Sequence, residues 1–279
     1  MPIISFWNPT GIAQVGTTAS VCAIANGIAI KHQRYKILLA QTHFNDQKME
    51  GGYFNIDVMK RKGNMDDITD VGVDALERLL RSNKITPDSI KIYSKPCGIT
   101  LDILYGSFKS DSDSFRRVLE TIPFTIDYAS QYYDMVFVDL TKGTDVKEVN
   151  DILNKSDLIV TTMSQDKEVI NKMEEAYSTF KILQDKPTMF VFSRYDRYLR
   201  YNCRNIFRQY NFKVDKRDTY TIPYNSDFFD AMNDGQSFSF FVNNMNADVA
   251  TTRNGYFISE AVKCSEKLLS LLGDKVVKK

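Results

Sequence analysis

A chain of 279 residues with 43% hydrophobic and 25% charged residues has the composition of a globular protein with a sizeable core. Lysine plus arginine (36) against aspartate plus glutamate (35) leaves a formal charge of +1, so the overall charge selects neither nucleic acid nor an anionic membrane as partner. Cys22, Cys97, Cys203 and Cys264 form no C-x-x-C pair, and His32 and His43 are the only histidines, which argues against a disulfide framework and a zinc site.

No apolar run approaches bilayer length. The opening Ile3-Ile4-Ser5-Phe6-Trp7 lacks a basic segment before it and reads as a strand, so a cytoplasmic protein with reduced thiols is expected. A polar loop then leads to a helix over 17–32, where Val21, Ile24, Ala25 and Ile28 recur at helical spacing. Lys36-Ile37-Leu38-Leu39-Ala40 reads as the second strand. From Phe44 to Asn64 the glycines 51, 52 and 63 suggest loops around a short helix. A helix over 73–80 and Pro87 precede a strand over 99–105. The helical pattern over 115–132 is interrupted near Pro123, since proline disfavours a helix interior.

Met135-Val136-Phe137-Val138-Asp139 is an apolar strand that ends on an acid. Similar strands follow at 158–162 and 188–192, with a helix over 167–180 between them, then a short strand at 220–222 before Pro223. Helical segments close the chain, the last over 256–272, followed by a lysine-rich tail. Continuous apolar strands alternating with helices predict an α/β fold, a mostly parallel sheet flanked by helices on both faces, with ligands at the carboxyl edge. No linker or repeat divides the chain, so one domain over 1–279 is expected.

The loop after the first strand, Gly11-Ile12-Ala13-Gln14-Val15-Gly16-Thr17-Thr18, has the frame G-x-x-x-x-G-x-T. It admits two readings. One is a strand-to-helix turn with Thr17 or Thr18 as a cap. The other is a phosphate-binding loop, in which the glycines let backbone N–H groups curl around an anion at a helix N-terminus.

Later segments bear on that choice. Tyr133-Asp134-Met135-Val136-Phe137-Val138-Asp139-Leu140-Thr141-Lys142-Gly143 resembles a Y-D-x-I-I-I-D-x-x-x-G strand. Val191-Phe192-Ser193-Arg194-Tyr195-Asp196 is similar to a strand ending N-R-Y-D, and Ile222-Pro223-Tyr224-Asn225-Ser226-Asp227, with Ala231 and Gly235, to an I-P-x-D segment. In this order, the segments resemble the MinD/ParA family of deviant-Walker P-loop ATPases over most of the chain. The resemblance implies nucleotide contacts from Gly11, Ile12, Ala13, Gln14, Val15, Gly16, Thr17, Thr18, Ser193, Arg194 and Pro223. It also implies magnesium at Thr18 and Asp139, and ATP or ADP as the ligand.

Departures from the family pattern carry equal weight. Ile12 replaces the signature lysine that reaches the partner's phosphates, and Thr17 replaces the P-loop lysine. Where the family writes D-x-D-P-Q, this chain has Gln41-Thr42-His43-Phe44-Asn45, with no carboxylate, and Ser193 stands for the base-recognising asparagine. Removing one phosphate-neutralising cation costs about three decades in rate or more. No catalytic residue is therefore assigned, turnover near background is expected, and nucleotide binding is expected to be weak, about −8 to −4 kcal/mol.

Several residues keep two readings. Lys142 could swing toward a phosphate, and His43 reads as a base or as a loop residue. Asp139 reads as a magnesium ligand or a capping acid, and Trp7 packs under the loop or faces a partner. Arg194, Arg197, Arg200, Arg204 and Arg208, interleaved with tyrosines, suggest DNA contacts or a solvated helix face, the latter favoured by the balanced charge. The last helix reads as packed on the sheet or as a membrane anchor. The resemblance implies a homodimer through the glycine-loop face, a partition or polar-positioning role and a protein partner. The TadZ/CpaE branch, which places secretion or pilus machinery, is the runner-up, and an active DNA-binding ParA-like ATPase the alternative.

Overall fold

A computed structural model describes residues 1–44, 49–56, 71–210 and 219–276. Its strands are β1 (Ile3–Trp7), β2 (Ile37–Gln41), β3 (Lys95–Cys97), β4 (Leu101–Ile103), β5 (Met135–Asp139), β6 (Leu158–Met163), β7 (Thr188–Tyr195) and β8 (Thr219–Pro223). They form one eight-stranded sheet in the order β3-β4-β2-β5-β1-β6-β7-β8. β3 is antiparallel to β4 and every other pairing is parallel. The sheet is the mostly parallel α/β sheet that the alternating pattern predicts.

Side chains alternate between two cores. Ile4, Phe6, Leu39 and Phe137 pack on one face, and Ile3, Trp7, Leu38, Val136 and Val138 on the other. Helices cover both, which is why the strands read as continuous apolar runs. Over the first face lie α1 (Thr17–Lys31) and the last helix, Arg253–Leu272. Over the second lie the helices Val73–Arg81, Ile122–Tyr132 and Lys147–Lys155.

α1 differs from the one-sided stripe its spacing suggests. Every residue from Ala19 to Ala29 is buried, Ser20 and Asn26 included, because the last helix closes over its outer side. A Cβ on Gly27 would stand 2.5 Å from Ser265 Oγ, and that hydroxyl is 2.9 Å from the Ile24 carbonyl. The two helices touch through a glycine. Phe257, Ile258, Ala261, Cys264, Leu268 and Leu272 are all buried in this layer, so the last helix packs on the sheet. Its Phe257 joins Phe228, Phe240 and Phe241 in an aromatic cluster, each fully buried ring being worth about 1.5–3 kcal/mol. Among the described residues no helix is long and apolar enough to cross a membrane.

One strand is unexpected, one expected strand is shorter, and one expected break is placed. β3, at the sheet edge, contains Pro96, a position where a missing N–H is harmless. The strand expected over 99–105 shrinks to Leu101–Ile103, with Ile99 on the exposed turn. The expected interruption near Pro123 is present: Ser112–Leu119 ends before it, and a new helix, Ile122–Tyr132, begins with the proline in its first turn. Of the loop region expected from Phe44 to Asn64, Met49–Gly52 forms a 3-10 turn, while 45–48 and 57–70 lie outside the described residues.

Candidate functional site

The strand order reverses beside β1, since the chain leaves β1 toward β2 on one side and leaves β5 toward β6 on the other. Such a switch point opens a crevice at the carboxyl edge. Phe6 and Gln41 both pair with Asp139, and Trp7 pairs with Thr161, so these strand ends lie level. A cleft of about 390 Å³ opens there, lined by Asn8, residues 12–19, His43, Leu140, Lys142, Arg194, Phe229 and Met232.

The loop from 8 to 16 is shaped by Asn8. Its Oδ1 accepts from Thr10 N at 3.0 Å and Thr10 Oγ1 at 2.7 Å, and its Nδ2 donates to the Ile12 carbonyl at 2.8 Å. Gly11, Gln14 and Gly16 have φ of 71°, 59° and 91°, a run of left-handed turns that carries the backbone around the cleft. At Gly16 the requirement for glycine is steric as well. A Cβ there would meet Ser193 Cβ at 2.9 Å and Arg194 Cγ at 3.0 Å.

Gly16 is also the N-cap of α1, without a side-chain cap and with no acid in the first turn. The first-turn N–H groups have no intrahelical acceptor, and the helix dipole places positive potential there. Thr17 and Thr18 are helical residues whose hydroxyls point elsewhere, so the capping reading of either is ruled out. Thr17 Oγ1 and Thr162 Oγ1 are 2.7 Å apart, which locks the lysine-equivalent position onto β6. Thr18 Oγ1 donates to Asp139 Oδ2 at 2.6 Å.

Asp139 is fully buried at the end of β5, and its Oδ1 has no hydrogen-bond partner. Its Oδ2 also faces His43 Nε2 at 3.2 Å, with the imidazole mostly buried. An orphaned carboxylate oxygen beside a hydroxyl and an anion cradle fits a divalent cation. Thr18 and Asp139 would hold it, and it would supply positive charge between phosphates. Lys142, exposed in the loop after β5, borders the cleft.

The positions that would carry hydrolysis are engaged in packing. Gln41 is buried, accepts from Met49 N at 3.1 Å and donates to Glu50 Oε2 at 2.5 Å. It organises the 3-10 turn rather than facing the cleft. Asn45, the last residue of the same motif, lies outside the described residues. Ile12 packs beside the apolar cluster of Val15, Met163 and Phe192.

On the opposite wall, β7 carries a register irregularity between Ser193 and Tyr195, and Arg194 adopts φ 53°. Such a bulge re-aims a side chain. Arg194 Nη1 donates to the Gln14 carbonyl at 3.2 Å, and the guanidinium lies over Phe229 at 5.5 Å and Tyr224 at 6.0 Å. Tyr224 and Phe229 stack at 5.3 Å. Ser193 is buried and shares a 2.6 Å hydrogen bond with Ser20, so Ser193 and Pro223 stand behind the wall rather than on it. Arg197 lies over Tyr198 and Tyr256, and the helix expected around the arginines starts only at Cys203. Trp7 is buried and donates to the Gly143 carbonyl at 2.9 Å, beneath the loop after β5.

Asn8, Phe229, Met232 and Glu50 escaped the sequence reading. Asn8 had a local signal, the Asn-Pro turn pair. Phe229 and Met232 share a helix face at three-residue spacing, but nothing in the sequence says that this face meets the loop.

No family model and no curated protein matches the sequence. Solved structures do. A ParA family ATPase from Chlorobium tepidum TLS aligns over 95% of this chain and 98% of its own at TM-score 0.69 and 11% identity. The septum site-determining protein MinD from Pyrococcus horikoshii OT3, complexed with Mg-ADP, aligns over 98% of each chain at TM-score 0.66 and 13% identity. A plasmid partition protein of Borrelia burgdorferi B31, bound to AMPPNP, aligns over 96% of this chain and 99% of its own at TM-score 0.58 and 15% identity. The chain therefore has the α/β fold of P-loop NTPases. Within that class its fold is the one found in ParA and MinD ATPases.

Proposed function

We propose that this protein is a degenerate ParA/MinD-like nucleotide-binding protein, one domain over 1–279, that holds ATP or ADP with little or no hydrolysis. It serves as a dimeric positioning or partition scaffold. One contrast carries the reading: the anion cradle and the Thr18–Asp139 pair are in place, while Thr17 is tied to Thr162 and Gln41 to Glu50. The cleft can bind phosphate through backbone N–H groups but presents no lysine within the glycine loop and no acid at Gln41 to drive transfer. Phosphates would lie along 13–18, with a divalent cation at Thr18 and Asp139. The base would lie toward Arg194, Phe229 and Met232, where an aromatic ring and a guanidinium offer stacking surfaces.

The dimer reading is supported by the exposed loop residues Gly11, Ala13 and Gln14 and by half-buried Ile12 at the rim. The alternative is an active ParA-like ATPase with non-specific DNA binding. Lys142 at the cleft and the exposed Arg197, Arg200, Arg204 and Arg208 favour it.

Calorimetric titration of nucleotide-free protein with ATP and ADP tests the binding claim, with a Kd between about 1 μM and 1 mM expected. No heat at millimolar nucleotide removes it. Sedimentation tests the dimer: Ile12→Glu should shift a dimer toward monomer, and a wild-type monomer at high concentration removes that half. Phosphate release above blank, lost in Asp139→Asn, would establish the alternative.

A further inference from the structure

We propose that the divalent cation of this cleft is a first-row transition-metal ion such as Mn²⁺ or Co²⁺, which accepts a nitrogen ligand more readily than Mg²⁺ does, held by Asp139, Thr18 and the His43 imidazole. The inference rests on the nucleotide reading above and names its cation.

Three observations converge on it. The first is distance. Two ligands at right angles on a metal with bonds of about 2.1 Å lie about 3.0 Å apart. His43 Nε2 and Asp139 Oδ2 are 3.2 Å apart, close to the spacing of neighbouring ligands, and the hydrogen bond from Thr18 Oγ1 to the same oxygen keeps the hydroxyl beside them.

The second is the way His43 is held. Thr42 N donates to the Asp139 carbonyl at 3.0 Å. Thr141 N donates to Thr42 Oγ1, and Thr141 Oγ1 to the Thr42 carbonyl, both at 2.8 Å. The end of β2 is thereby stitched to the end of β5 from both sides. The residue after Thr42 is thereby held beside Asp139 by main chain, within side-chain reach of its carboxylate.

The third is the donor set. Asp139 Oδ1 is buried without a partner, which leaves a carboxylate oxygen for a cation. Mg²⁺ takes oxygen ligands and gives up its waters reluctantly. An imidazole in the first coordination sphere shifts the balance from Mg²⁺ toward first-row transition-metal ions, least for Mn²⁺ and more for the later metals. The nitrogen sits where an all-oxygen site would serve Mg²⁺ better.

The test is pulsed electron paramagnetic resonance on nucleotide-free full-length protein loaded with Mn²⁺ and ADP, beside calorimetric titrations with Mn²⁺ and Mg²⁺. The expected spectrum carries nitrogen-14 modulation from a directly bound imidazole. The expected preference for Mn²⁺ over Mg²⁺ exceeds that of free ADP by about tenfold or more. His43→Ala should abolish the modulation and bring the preference within about threefold of that of free ADP, and His43→Gln should do the same if the alanine variant fails to fold. A Mn²⁺ complex without nitrogen coupling, equal preference for the two cations, or ADP binding indifferent to any cation overturns the proposal. If ADP does not bind with either cation, the nucleotide reading fails separately. Mn²⁺ alone then decides: a nitrogen-coupled ion upholds the metal assignment, and no bound ion removes it.

Discussion

Two halves of the sheet's carboxyl edge are built from different materials. The half around Gly11–Thr18 relies on backbone: left-handed turns, an uncapped helix start and the close approach of Gly16 to Ser193. The half around Gln41 relies on side chains that are engaged in packing, with Gln41 held between Met49 and Glu50. Backbone donors survive side-chain replacement, because the fold itself presents them. Charge at a defined atom does not. Anion binding through backbone donors therefore does not require the side chains that phosphoryl transfer needs.

The largest expected effect comes from forcing the second half back toward the family pattern. Gln41→Asp places a carboxylate against the buried Glu50, and like charges out of water repel strongly. A loss of about 3 kcal/mol is expected, lowering Tm by roughly 6 °C or more, without phosphate release. Thermal unfolding at neutral pH reads it, and a variant as stable as the parent would show that Gln41 is not part of the packing.

Thr17→Lys tests the first half. It gives up one hydroxyl pair with Thr162, about 1 kcal/mol, and adds a cation to the cradle. Nucleotide affinity should rise about tenfold, equivalent to about 1.4 kcal/mol, still without turnover. Unchanged affinity in calorimetry would mean that the phosphates lie elsewhere.

Arg194 joins the glycine loop to the aromatic wall of Tyr224 and Phe229, and its strained φ of 53° suggests that its placement is costly. Arg194→Gly should therefore stabilise the fold by about 1 kcal/mol while weakening nucleotide binding about fivefold. Denaturant unfolding and titration must move in opposite directions; a variant that loses both would make Arg194 a purely structural residue.

The last effect is a pH dependence of the fold as a whole. Burial pushes the Cys97 thiol up from an ordinary 9.0 to about 12 and raises Cys22 and Cys264 as well. Above pH 9 the unfolded chain releases these protons while the folded protein keeps them. Stability should thus be level from about pH 7 to 8.5 and fall as pH rises above about 9, with the buried Cys22 and Cys264 resisting alkylation until unfolding. A Tm that holds flat to about pH 10.5 would contradict the burial.

Much of the fold was legible because apolar strands ending on Asp139 or Pro223 and a glycine loop after the first strand are local patterns. The edge strand at Pro96 was not, since three residues carry little periodicity and proline argues against a strand. Nor was the all-round burial of α1, which depends on a helix more than two hundred residues later meeting Gly27. In the site, Gly16, Thr18 and Asp139 were readable from motif spacing. The aromatic wall of Phe229 and Tyr224 required the bulge at Arg194, and the packing role of Gln41 required Glu50; both are set by tertiary contacts.

The most direct test of binding without turnover is phosphorus-31 magnetic resonance of ATP mixed with an equal amount of nucleotide-free protein and a divalent cation. Shifted or broadened phosphate resonances that persist without growth of inorganic phosphate are the predicted result. Steady conversion to ADP and phosphate, or a spectrum identical to that of free ATP, would contradict the account.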